Sequence, residues 1–153
     1  MLSQIFVLAT VIFATTLAYQ SVGVHGWLDC AGQKVGRNVP VYIYNQKSDK
    51  WYHPISNSYT SQSGEFRVTA TDKKLQKPFI VIAHRCGQIE SSCYWLAKLP
   101  IQSSYIVNGT VVEKYQEFKN IELRKYPDQK ICSAKAIDAE IKAKPLSAAD
   151  FSI

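Results

Sequence analysis

Three histidines, four cysteines and one Asn-Gly-Thr triplet are the residues of this 153-residue chain whose types could do chemistry. His25 sits in a loosely alternating segment, His53 follows Trp51-Tyr52 and precedes Pro54, and His84 precedes Arg85-Cys86. A catalytic histidine needs a nucleophile or a carboxylate brought to it, and no local motif supplies one. There is no Gly-x-Ser-x-Gly elbow and no His-Glu-x-x-His pair. His84, Cys86 and Cys93 are metal-ligating types, but the grouping lacks a Cys-x-x-Cys pair and a second histidine at ligand spacing. No metal and no cofactor are expected. The Trp51-Tyr52-His53 cluster reads as a surface loop with aromatic packing, and alternatively as an exposed aromatic binding patch.

Residues 1–18, MLSQIFVLATVIFATTLA, carry no charged side chain and end in small residues. That is the apolar segment and cleavage region of a secretory signal peptide. The alternative is a membrane anchor, but the run is shorter than the usual span of about 20 apolar residues and has no basic C-terminal flank. No later apolar run could span either. The chain therefore reads as a signal peptide (1–18), one domain (19–132) and a marginally ordered tail (133–153), secreted into an oxidising compartment where cysteines pair.

Cys30, Cys86, Cys93 and Cys132 allow three pairings. Cys86 and Cys93, close together around Gly87, have the spacing of a stapled hairpin. That choice leaves Cys30 with Cys132. Asn108-Gly109-Thr110 is an N-glycosylation sequon and equally a hairpin turn signal.

The elements that must position these residues are short strands. The segment 22–29 alternates loosely and ends before a glycine-containing turn. Val39 to Tyr44 alternates well, with Pro40 marking an edge or a strand start. Phe66, Val68 and Ala70 follow Ser63-Gly64 at period two. Pro78 to His84 is apolar on both faces, as a covered central strand would be. Residues 93–98 could return against it, and 110–115 and 118–126 read as the last two strands. No segment before residue 130 keeps a helical period. Ala134, Ile137 and Ile141 fall at helical spacing, so a short C-terminal helix is possible. Short strands at regular spacing mean an all-β, two-sheet antiparallel sandwich or a barrel.

Leu28-Asp29-Cys30 before a glycine-containing turn, Asn38 to Tyr44, Ser63-Gly64-Glu65-Phe66, Phe79 to Cys86 with a second cysteine seven residues on, and Phe118 to Leu123 resemble, in that order, the nematode transthyretin-like family. The resemblance implies a secreted transthyretin-like (prealbumin-like) β-sandwich and implies little about activity, because function resides in sites rather than folds. The superfamily also holds 5-hydroxyisourate hydrolase. In that enzyme a catalytic histidine precedes Val-Leu-Asp, whereas here His25 stands one residue further from Asp29. The enzyme's arginine in the turn before the third strand is replaced by Glu65, with Arg67 the nearest arginine. Its terminal Tyr-Arg-Gly-Ser has no counterpart in Asp150-Phe151-Ser152-Ile153. The hydrolase site is not assembled, and no catalytic residue is assigned.

The formal charge of +6 favours acidic surfaces, whether lipid, glycan or protein. The basic residues are dispersed, without the long clusters of a nucleic-acid binder. Lys73, Lys74, Lys77, Arg124 and Lys125 are the candidates for a basic surface. The expected function is a non-catalytic binding module with an extracellular protein, lipid or glycan ligand. The alternative is a secreted hydrolase of unknown substrate.

Overall fold

The computed structural model describes residues 18–46, 54–126, 129–133 and 137. The expected signal peptide apart from Ala18, the Trp51-Tyr52-His53 cluster, and the segment expected to form a tail helix apart from Ile137 lie outside them. The described strands are β1 (Gln20–Cys30), β2 (Gln33–Lys34), β3 (Pro40–Asn45), β4 (Ser56–Tyr59), β5 (Glu65–Asp72), β6 (Pro78–His84), β7 (Tyr94–Pro100), β8 (Val107–Asn108), β9 (Tyr115–Glu122) and β10 (Gln129–Ile131). They form two sheets. In sheet A, β1 is central, with β2 and β5 paired to it as well as β8 and β9. Sheet B runs β10-β7-β6-β3-β4.

Alternation builds the core between the sheets. Val22, Val24 and Leu28 of β1 and Phe66, Val68 and Ala70 of β5 meet Val41, Ile43, Ile80, Ile82 and Ala97 of sheet B. Side chains alternate across a strand, so one face of each strand enters this core. Strand β6 has no exposed residue. Its second face, Phe79, Val81 and Ala83, is covered by a smaller cluster with Tyr44, Leu96, Ile131 and Ile137. The apolar run is thus buried from both sides, as expected of a covered central strand.

Gly64 makes the turn into β5 possible. Its φ is +75°, and a Cβ there would lie 2.8 Å from the Leu28 carbonyl oxygen. That carbonyl is committed, since it accepts from the Val35 N–H at 3.1 Å, while the Leu28 N–H donates to the Gly64 oxygen at 2.9 Å. At the far end of β9, the Glu122 carboxylate accepts from the N–H groups of Gly32, Ala31 and Arg124. These bonds, that of Gly32 first, hold its carboxyl below the usual carboxylate range.

Three expectations need correction. Residues 110–114 carry no strand, and Val111 is 70% exposed; in place of strands over 110–115 and 118–126 there is one, Tyr115–Glu122, followed by a 3-10 turn at Leu123–Lys125. Strand β9 pairs with β1 in parallel, with a register shift between Gly26 and Leu28, while the other pairings are antiparallel. The disulfides are Cys30–Cys86 and Cys93–Cys132, not Cys86–Cys93 and Cys30–Cys132. The reason is local. Strand β6 leaves the β7 ladder at His84 in a turn closed by Gln88 N–H to the Arg85 oxygen. Cys86 then meets Cys30 at the end of β1, with Cα atoms 5.6 Å apart, and ties one sheet to the other. Strand β10 pairs Ile131 with Tyr94, which brings Cys132 beside Cys93.

Candidate functional site

The outer face of sheet A gathers a charged and aromatic cluster around His25. Because Val22 and Val24 face the core, His25 and Trp27 face outward. Register sets Arg67 of β5 and Glu117 of β9 on either side of His25, and Glu65 beside Trp27. His25 Nδ1 lies 2.7 Å from Glu117 Oε2, and Nε2 lies 2.7 Å from Glu65 Oε1. The Trp27 ring meets the imidazole edge-on at 4.6 Å. The Arg67 guanidinium lies over the Tyr115 ring at 4.9 Å, and that ring covers Gly23, where a Cβ would come within 2.8 Å of it. His25 is consequently only 8% exposed although it stands on an outer face.

This geometry bears directly on chemistry. A neutral imidazole has one N–H and one lone pair. Donating to two carboxylates at once takes a ring protonated on both nitrogens. The cluster therefore clamps His25 at both ring nitrogens.

His84 occupies a different place. It ends β6 in sheet B, its Nε2 lies 3.2 Å from the Tyr126 carbonyl oxygen, and its Nδ1 accepts from the Cys86 N–H at 3.2 Å. Desolvation pushes its pKa down, partly offset by the bond to Tyr126. These partners describe a neutral ring protonated on Nε2. His25 and His84 share no partner, and His53 lies outside the described residues. His25 and His84 therefore do not converge on one cleft.

All four cysteine sulfurs are in disulfides, so neither Cys86 nor Cys93 offers a thiolate to a metal. Glu90, Cys93 and Cys132 come together, but two of the three are already bonded to each other. The five basic candidates are exposed but divided. Lys73, Lys74 and Lys77 follow β5 near its pairing of Asp72 with Gln20, whereas Arg124 and Lys125 follow the pairing of Glu122 with Asp29. Strand β1 separates these ends by roughly 30 Å at about 3.3 Å per residue. Asn108 is exposed in β8, opposite Gln20, and leads into Gly109 at φ +104°.

Reading the sequence brought out His25, Glu65 and Arg67 one at a time, and missed Glu117. The one signal for their meeting is the period-two spacing of Glu65 and Arg67 on the polar face of β5. Nothing local points to Glu117, which is 92 residues from His25.

The fold and this face define a two-sheet β-sandwich with a clamped histidine on one outer face. Residues 25–102 match the transthyretin-like family, and the chain belongs to that family. No curated protein matches the sequence. Among solved structures, a 9R-lipoxygenase from Cyanothece PCC8801 is similar over 67% of this chain and 16% of its own, at 13% identity and a TM-score of 0.38. That likeness is too slight to bear on function.

Proposed function

We propose that the protein is a secreted, non-catalytic binding module that engages an extracellular ligand or acidic surface. The observation that carries the non-catalytic part is the double engagement of His25 by Glu65 and Glu117. A histidine held at both nitrogens supports structure on that face and lends no base to a hydrolysis. The two disulfides support an oxidising, extracellular setting, and the exposed Asn108 is a reasonable acceptor for a glycan there. The charge of +6 supports an acidic partner. The two basic groups lie further apart than the Debye length of about 8 Å, so each attracts acidic groups on its own.

The test uses the secreted, oxidised protein. Capture on anionic vesicles, sulfated glycan and an acidic protein surface is followed over a salt series. Lys73, Lys74 and Lys77 are neutralised to Gln in one variant, and Arg124 and Lys125 in another. Binding that falls with salt and with at least one variant is expected. Binding indifferent to both overturns the electrostatic part. Turnover of 5-hydroxyisourate that His25→Ala abolishes reinstates the hydrolase, a reading favoured by the placement of Arg67 directly across from His25.

A further inference from the structure

The outer face of sheet B holds a trough that the cluster around His25 does not use. Two adjoining hollows of about 290 and 180 Å3 share Asn38, Pro40, Ala83 and Tyr94. Together they reach the range of about 300–1,000 Å3 typical of small-molecule sites. Ala83, small and buried, lines both hollows, and Ile137 lines the smaller one. Pairing with Pro40 sets Tyr59 beside it, and Tyr59 is left 55% exposed. Tyr59 lines the smaller hollow, and the larger one is lined by Arg85. Its guanidinium lies 4.4 Å from the Tyr94 ring centroid and donates to the Tyr94 hydroxyl at 2.9 Å. Among the described residues no carboxylate pairs with it. Asn38 sits at the rim with φ +68° and an exposed side chain, a left-handed conformation of the kind that gathers at ligand sites.

We infer that this trough binds an acidic saccharide, with the sugar ring against Tyr59 and its sulfate or carboxylate on Arg85. The inference rests on the reading of the protein as a binding module and names the ligand class and the site. Each component has one matching chemistry. The face of a tyrosine ring takes the apolar C–H face of a pyranose. The Asn38 amide and the Tyr94 hydroxyl suit sugar hydroxyls. A guanidinium has five donors in a planar fork, and stacking on Tyr94 holds this fork while leaving donors for a bidentate anion. A proline-rich peptide would use the tyrosines and leave Arg85 without a role.

The test is a calorimetric or NMR titration of the oxidised, secreted protein with a heparin-derived sulfated disaccharide. Maltose and a polyproline peptide serve as comparison ligands. The disaccharide is expected to bind at least about tenfold more tightly than maltose, and Arg85→Gln is expected to weaken it about tenfold or more, the loss of a charge-assisted bond. Tyr59→Ala should weaken both sugars several-fold. The Lys73, Lys74 and Lys77 triple variant should leave disaccharide affinity within about twofold. Equal affinity for maltose, indifference to Arg85→Gln, or binding of polyproline in place of sugar overturns the inference. If the disaccharide does not bind but capture on acidic surfaces still depends on the lysines, the inference falls and the binding-module reading stands. If neither is observed, both fall.

Discussion

Replacing Cys86 and Cys93 together by serine distinguishes the disulfide map of the structure from the hairpin map suggested by cysteine spacing, by stability alone. In the structure each of these cysteines belongs to a different bridge, Cys30–Cys86 spanning 56 residues and Cys93–Cys132 spanning 39. Loop-closure entropy assigns about 4.2 kcal/mol to the first and about 3.9 kcal/mol to the second. The two loops follow one another along the chain without overlapping, so their contributions add to a good approximation. The double variant, with the two remaining thiols alkylated, therefore loses about 8 kcal/mol. That is more than half of the upper end of ordinary domain stability, about 5–15 kcal/mol. It should be unfolded or nearly so in the absence of denaturant. The Cys30→Ser/Cys86→Ser variant loses only one bridge and should remain folded, with a guanidinium midpoint lowered by about 1 M. A hairpin staple between Cys86 and Cys93 makes the opposite ordering: the first variant loses one short loop, about 2.5 kcal/mol, and the second loses both bridges. Chemical denaturation followed by tyrosine and tryptophan fluorescence reads the order. A Cys86→Ser/Cys93→Ser protein more stable than Cys30→Ser/Cys86→Ser refutes the reasoning, and non-reducing peptide mapping provides the independent check.

Further expectations follow from single residues. His84 has a lowered pKa in the folded chain, so below the ordinary histidine value of about 6.5 the unfolded chain binds a proton that the folded chain resists. Its contribution to stability is complete above that pH and declines as pH falls through it; guanidinium midpoints measured between about pH 7.5 and 5 should show this decline, shallower in His84→Gln. Gly26→Ala places a Cβ 2.4 Å from the Phe118 carbonyl oxygen and 2.9 Å from the Phe118 Cβ, and because backbone must yield, a loss of about 1–3 kcal/mol or more is expected by denaturation. Asn108 should carry a glycan when the protein passes through a eukaryotic secretory pathway; a gel mobility unchanged by glycosidase and identical to that of Asn108→Gln would count against it.

Strand β6 was legible because its apolar character on both faces has a single structural meaning, a strand covered on both sides. The same is true of Phe66, Val68 and Ala70, whose period-two spacing placed β5 and left Glu65 and Arg67 on its polar face. Strand propensity misled at Thr110-Val111-Val112. Val111 is open to solvent, and Val112 packs over the site where Gly23 lacks a side chain, so two β-branched residues serve a loop. The parallel pairing of β9 with β1 was not legible, because strand direction is fixed by how the chain crosses from one sheet to the other after Ile101. The disulfides failed for a related reason. Cys86 and Cys93 are near in sequence, but β10, only three residues long, supplies the nearer partner, and so short a strand leaves no pattern. The His25 cluster draws on β1, β5 and β9, and only the assembled sheet brings Glu117 to the histidine.

The two outer faces of the sandwich differ in what they have left to offer a partner. On sheet A the imidazole of His25 is satisfied by Glu65 and Glu117, and the guanidinium of Arg67 is held on Tyr115. A partner placed there would exchange existing charge-assisted bonds for new ones, and such an exchange contributes little net affinity. On sheet B, Arg85 is held in place by Tyr94 without a carboxylate among the described residues, and Tyr59 is more than half exposed. An anionic ligand there adds bonds without breaking equivalent ones, and the ordering of the guanidinium is already accomplished. Binding strength is therefore expected to come from sheet B, with the clamped histidine serving to fix β5 and β9 against β1.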